Sequence, residues 1–490
     1  MSYRNCLLPA IFLLQVNFLT AQSSKDWTIE FPNMGVHSSP RAVDLNRDGV
    51  KDIIIGCSKK EFQKQDSGIL AIDGATGKVL WKVPARDQVF GSASFLDINR
   101  DGIPDVIIGG RAAELKALNG KNGAVLWAFF PNGNSMQPRK KGWFNFYNPQ
   151  IIPDQNNDGL EDILVTNGGD ILAKPYDPRR PTGNILVLSG KNGQILAQAK
   201  VPDGKETYMS LVISKISKED KDLTVIFGTG GETIGGHLYR TTLTNIMKQD
   251  ISGATILFSS KDKGFIAPPV LCDLNLDGYL DIVDNAVEGK TIAIDGKTNK
   301  IIWEQGIENT EVYGSLGVGY FNNDSIPDLF TTYTKGTWPK LNESKQIMLN
   351  GKTGEIEFID SLGILQTTSP VVADFNNDGY DDGLMDINFL IVEKEIFFYY
   401  HNMLVVHDFH NQNTYQLTDE TPGINLSSTI WVGDLDNDGK LDIVYCYLTD
   451  TRKETAMSGF KMVRLSLDVE IKKPVKWGSY MGSNYDGIFK

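Results

Sequence analysis

Short runs rich in Val, Ile and Leu recur along the chain, each fed by an acidic loop with a glycine at a fixed place. The first is DLNRDGVKDIIIG at residues 44–56. Five more loops keep its spacing: DINRDGIPD from Asp97, DQNNDGLED from Asp154, DLNLDGYLD from Asp273, DFNNDGYDD from Asp374 and DLDNDGKLD from Asp434. A seventh, YFNNDSIPD from Tyr320, has lost the first Asp and the Gly. The starts are separated by 53, 57, 119, 47, 54 and 60 residues. The gap of 119 holds two periods, so an eighth unit is expected within 205–260, where VISKISKEDKDLTVIFG keeps a strand without the loop. A period of about 50 residues predicts a repeat architecture.

A second pattern interleaves with the first. LAIDGATGKVLW, LKALNGKNGAVLW, ILVLSGKNGQILA, TIAIDGKTNKIIW and IMLNGKTGEIEF each read as strand, tight turn, strand. One unit is therefore four antiparallel strands, and radial repetition of such units is a β-propeller. Trp27 precedes its loop by 17 residues, as Trp81 and Trp303 precede theirs by 16 and 17, yet no hairpin precedes it. GFKMVRLSL near the C-terminal end supplies a third strand with no clear fourth. The expectation is an all-β, eight-bladed propeller in one domain over 22–490, its N-terminal strand closing the last blade and removing an open edge. Seven blades is the alternative, if the unit without a loop is an insertion.

The acidic loops carry a metal-ligand pattern. Oxygen donors fall at the first, third, fifth and ninth positions: Asp44, Asn46, Asp48 and Asp52; Asp97, Asn99, Asp101 and Asp105; Asp154, Asn156, Asp158 and Asp162; Asp273, Asn275, Asp277 and Asp281; Asp374, Asn376, Asp378 and Asp382; Asp434, Asp436, Asp438 and Asp442. With a backbone carbonyl at the seventh, such a set suits Ca²⁺, which takes six to eight oxygens in flexible geometry. The sixth-position glycines allow the positive φ that curls the loop. About six Ca²⁺ ions are expected. Their charge would bring the formal −13 close to neutrality, so the acidity reads as ligand charge rather than a surface for a basic partner.

The DxNxDGxxD loops, with VFGSASFLD before the second, resemble the FG-GAP/VCBS repeats of integrin-type propellers. The AIDGATGKVLW hairpins resemble the repeats of quinoprotein (PQQ-type) propellers. The resemblance implies a secreted bacterial propeller used in adhesion, glycan handling or protein assembly. It implies no PQQ, since quinoprotein dehydrogenases enclose the quinone with adjacent cysteines and this chain has none adjacent.

Residues 1–21 read as a secretory signal, with Arg4, an apolar stretch from Leu7 to Leu19 and Thr20-Ala21 before the cut. Export to the medium or cell envelope follows, and no later segment is apolar enough to span a bilayer. After the signal, which holds Cys6, the cysteines Cys57, Cys272 and Cys446 are odd in number and lie beside strand signals, which favours buried thiols. Nucleic-acid binding does not suit an exported chain with pI near 5.0.

Long insertions at 131–148, 167–183, 228–240 and 331–345 are expected on the face opposite the acidic loops. The first two bring Arg139, Lys140, Lys141, Trp143, Phe144, Phe146, Tyr147, Tyr176, Arg179 and Arg180 as candidate ligand-binding residues. Basic and aromatic side chains together suit an anionic or sugar-like ligand or a protein hot spot; the alternative is aromatics plugging the propeller with solvated charges around them. HNMLVVHDFH at 401–410 resembles a metal cluster only superficially, because it falls on a strand. No nucleophile motif stands out. The expectation is a monomeric, non-catalytic module for a glycan or protein partner, with a polysaccharide-lyase-like enzyme as the alternative and a quinone dehydrogenase behind it.

Overall fold

In the computed structural model, residues 23–393, 397–453 and 455–490 are described, and the signal sequence expected at 1–21 lies outside them. Eight antiparallel sheets of four strands or slightly more form the ring of an eight-bladed propeller. Blade one shows the plan: Arg41–Val43 innermost, then Asp52–Ser58, Gln65–Ile72 and Val79–Ala85 outermost. The second strand is buried along its whole length, whereas the outer one alternates between exposed and buried. A strand with sheets packed on both faces reads as a continuous apolar run, which explains DIIIGC. Apolar clusters between successive blades then bind the ring together.

The loopless unit is blade four, with Val212–Ser214, Thr224–Gly228, Gly236–Thr242 and Thr255–Ser260. Its turn between the last two strands is replaced by a short helix, Leu243–Met247, capped by the Thr242 hydroxyl. The seven-blade alternative is thereby excluded.

Closure follows the expected route. Trp27–Pro32 pairs antiparallel with Gly459–Glu470 as the outermost strand of blade eight, in register from Trp27↔Arg464 to Pro32↔Gly459. The Trp27 indole N–H donates to the Gly74 carbonyl of blade one at 2.8 Å. Trp81, Trp127 and Trp303 make the same bond to Gly120, Gly190 and Gly351 of the following blades. Each ring also lies against a second turn glycine with positive φ, such as Gly77 or Gly123, where an added Cβ would sit about 3 Å from indole atoms. Those glycines are needed for both backbone conformation and contact. Across the loopless blade the Arg240 guanidinium takes over, donating to the Gly296 carbonyl at 2.6 Å.

One expected insertion is different in kind. Residues 331–345 are not a loop but the continuation of two paired strands, Asp328–Thr337 and Lys340–Leu349, turning at Trp338-Pro339. Alternating β-branched and polar residues there extend the ladder instead of breaking it. Cys57, Cys272 and Cys446 are free and buried.

The 474–490 segment, to which the repeat pattern assigned nothing, fills the central channel. Its backbone bonds the inner strands: Val372 N–H to Trp477 O, Val432 N–H to Gly478 O, Leu271 N–H to Gly487 O and Phe489 N–H to Leu271 O. Trp477 donates to Leu316 O at 2.9 Å, and the Tyr485 hydroxyl receives the Ala42 N–H at 3.0 Å. The Arg41 guanidinium, fully buried, stacks on Tyr485 at 3.9 Å. Inner strands have an unpaired edge toward the axis, and this segment supplies partners for it.

Candidate functional site

In every blade but the loopless fourth, the innermost strand runs from one face of the propeller to an acidic loop on the other. Within the loops the first Asp accepts the N–H of the sixth-position glycine, as in Gly49 to Asp44 at 3.2 Å and Gly159 to Asp154 at 2.8 Å. The third-position side chain accepts the N–H of the fifth residue, for example Asp101 to Asn99 at 2.9 Å. The fourth residue adopts positive φ in all six loops, Arg47 and Asn437 among them. Loops of adjacent blades are also tied together, by Arg47 to Asp101 O, Arg100 to Gly159 O and Asn437 to Gly49 O.

The ninth-position Asp has a structural task that the spacing did not reveal. Asp52 accepts the Leu45 N–H with one oxygen and the Gly74 N–H of the hairpin turn with the other. Asp105, Asp162 and Asp281 repeat both bonds. Burial raises these carboxyls, Asp52 and Asp281 to about 6.

Two loops depart from that scheme. In blade seven the turn is Asp408-Phe409, and no glycine N–H reaches Asp382. The buried oxygens Asp374 Oδ1 and Asp382 Oδ1 have no hydrogen-bond donor, with Asp378 and Asp408 close by. An orphaned acidic oxygen pair is costly when buried and fits a hard cation. In blade eight Asp434, Asp436 and Asp442 converge within 4.8 Å. There the chain brings its own cations: Lys25 lies 2.8 Å from Asp436 and 2.6 Å from Asp438, and buried Arg464 lies 2.7 Å from Asp436 and 3.0 Å from Asp442.

The opposite face opens into a funnel on the propeller axis, with a volume of about 290 Å³. All eight blades contribute to its wall: His37, Phe90, Tyr147, Tyr208, Ile266, Tyr313, Thr367 and Ser427. Apart from Tyr208 of the loopless blade, each stands seven residues before its acidic loop. Two residues further along, or one in blade three, hydrogen bonds lock neighbouring blades. Ser39 N–H donates to Ser92 Oγ, Ser92 N–H to Asn148 Oδ1, Ser315 N–H to Ser369 Oγ, Ser369 N–H to Thr429 Oγ1 and Thr429 N–H to Ser39 Oγ. Tyr480 from the channel segment also lines the funnel. A side lobe of about 250 Å³ shares Tyr147, Tyr208 and Ile266 and adds Asp170, Arg180 and Glu232.

The candidate ligand residues divide. Tyr147 lines both cavities, 5.3 Å from Phe90 and 6.4 Å from Tyr208 between ring centroids. Arg180 lines the lobe but is committed, paired with buried Glu206 and donating to Tyr208 and Thr233. Arg139 is held in a two-pronged pair with Asp170 at 2.7 and 2.6 Å. Arg179 is 88 % exposed at its side chain and paired with its neighbour Asp177. Lys140, Lys141 and Tyr176 are exposed on the rim, and Trp143 is half-buried against Phe129. Phe144 and Phe146 are corrections: both are core residues, Phe146 fully buried against Phe129, because its strand Asn145–Phe146 pairs with Asp162–Gly168. Sequence reasoning missed His37, Phe90, Arg111, Tyr208, Tyr313 and Tyr480. The constant seven-residue offset would have found His37, Phe90 and Tyr313. His401 and His407 do not converge: they lie six positions apart on one strand, with His407 buried against Thr414 and His401 beside Glu420.

No helix among the described residues is long and apolar enough to cross a membrane. A family model described as the FAM234A/B beta-propeller matches residues 27–250. Protein FAM234A of Bos taurus is 25 % identical over 196 residues, covering 35 % of this chain and 34 % of that protein. The match therefore spans about a third of the relative's length. Among solved structures, the quinohemoprotein alcohol dehydrogenase of Comamonas testosteroni superposes with a TM-score of 0.53 at 11 % identity, over 92 % of this chain and 77 % of that one. A europium-containing methanol dehydrogenase gives 0.52 at 10 % identity, over 91 % and 94 %. At such identity the likeness shows the propeller fold alone, and over its first half the chain is similar to FAM234 propellers.

Proposed function

We propose that the protein is an exported, calcium-binding propeller of the FG-GAP/VCBS kind that acts as a non-catalytic binding module. It takes a glycan or a protein partner on the face bearing the funnel, while the metals brace the opposite face. The observation that carries this reading is the axial funnel, in which all eight blades place a side chain on one aromatic and hydroxyl-rich surface. Concave sites with convergent polar groups on rigid scaffolds are where ligands bind. The donor-less oxygens of Asp374 and Asp382 support the calcium part, and the signal-like pattern at 1–21 supports export.

A glycan array and a protein-capture experiment, each run with Ca²⁺ and with EDTA, test the reading together. Retention of a ligand that is lost on substitution of funnel or rim residues is the expected result. Binding that survives those substitutions but disappears when acidic-loop residues are changed, without unfolding, would move the working surface to the metal face.

A further inference from the structure

We infer that the funnel binds the uncharged terminal ring of a saccharide chain, end-on. This rests on the reading that the funnel-bearing face is the binding face. Three features lead there. First, the funnel is blind: the 474–490 segment occupies the channel beneath it and lends Tyr480 to its lining. A chain cannot thread through, so a linear ligand enters by its end. The volume of about 290 Å³ sits at the low edge of small-molecule sites, which run from about 300 to 1,000 Å³.

Second, the wall gathers aromatic rings on blades two, three, four and six and short hydroxyl side chains on blades seven and eight. Phe90, Tyr147, Tyr208 and Tyr313 stand among Thr367, Ser427, Gln88 and Asn148. A sugar ring presents C–H groups on its faces and hydroxyls around its rim, which is the complement of such a wall.

Third, the cations are already matched. Arg111 is bonded through Nε to Gln88 at 2.5 Å and through Nη2 to Glu61 at 3.0 Å. In the lobe, Arg180 is paired with Glu206, and the lobe's Asp170 is held by Arg139 from outside it. The funnel's His37 is bonded to Ser427 at 2.7 Å, and burial lowers it to about 4, so it is neutral near pH 7. An anionic ligand would compete with the carboxylate already paired to each arginine. An uncharged polyol meets no such competition.

The test uses the full chain, saturation-transfer NMR and titration calorimetry. The probes are a broad panel of neutral monosaccharides, glucuronic acid, and a linear and a cyclic gluco-oligosaccharide of equal length. At least one neutral sugar should bind, linear chains should bind where the end-less cyclic one does not, and affinity should stay constant as salt rises. Tyr147→Ala and Tyr313→Ala should each weaken binding roughly tenfold, the scale of a lost aromatic contact. Tyr147→Phe, which keeps the ring and guards against misfolding as the cause, should bind within a few-fold of the parent. Lys121→Ala, on an exposed hairpin turn away from both cavities, should change nothing. The inference is overturned if no neutral sugar binds, if cyclic and linear chains bind alike, if glucuronic acid is preferred and salt weakens it, or if the tyrosine variants bind normally. A protein partner lost on rim substitution, with no sugar bound, would leave the binding-face reading standing and this inference wrong.

Discussion

Removing residues 472–490 should prevent the propeller from folding stably. The segment buries Trp477, Met481 and Phe489 almost completely inside the channel. Truncating a buried Trp or Phe to Ala costs about 3–5 kcal/mol and a Met about 2–5. Losing all three removes about 8–15 kcal/mol, which equals the whole net stability of a typical domain, about 5–15 kcal/mol. The deletion also frees the N–H groups of Leu271, Val372 and Val432 and strips Arg41 of the Tyr485 ring on which it stacks. A graded version separates loss of packing from gross truncation: Trp477→Ala should lower the free energy of unfolding by about 3–5 kcal/mol, and Trp477→Phe by less. Urea unfolding followed by far-ultraviolet circular dichroism reads both, and hydrogen exchange at Val372 and Val432 reports the exposed inner edges. A truncated protein that unfolds at the parent's urea concentration, with those amides still protected, would show that the ring stands without its plug and refute the reasoning.

Trp27→Ala should destabilise by about 2–4 kcal/mol and promote association through an opened outer edge, whereas Trp303→Ala should destabilise without association; light scattering and thermal melts distinguish them. EDTA should lower the melting temperature, and Asp374→Ala should blunt that response more than Asp324→Ala, because the Asp324 loop already lacks its first ligand; identical melts with EDTA and Ca²⁺ would refute metal bracing. Lys25→Ala should tighten Ca²⁺ binding at the blade-eight loop, where the ammonium now sits between Asp436 and Asp438; calorimetry showing unchanged binding would count against it. Asp386 is fully buried with one oxygen unpartnered, and desolvation raises it to about 8. Against an unfolded value of about 3.9 the native state holds the extra proton, so its contribution is complete below pH 4 and declines as pH rises toward 8. Asp386→Asn should therefore stabilise the protein increasingly from pH 5 to pH 8, as read by melting temperature.

The sequence by itself determined the periodic part of this protein. A strand buried on both faces must be apolar throughout, an acidic loop must turn through a glycine, and a hairpin must carry its turn residues, so loops and hairpins announced the blades one by one. Ring closure was legible as well, since Trp27 had to have the neighbour that Trp81 and Trp303 have. Local spacing could not tell which carboxylates are spoken for. Asp52 and Asp382 occupy the same loop position, yet only the first finds a turn glycine from its own blade, and only the last blade brings Lys25 and Arg464 to its acidic cluster. Nor could composition separate Phe146 from Tyr147: adjacent in the chain, they are sent by strand pairing to the core and to the funnel. The 474–490 segment carried no repeat, because its partners are the inner edges of blades far apart in sequence. Tertiary structure alone decided that these edges meet on one axis, and that the axis is a blind cavity rather than an open channel.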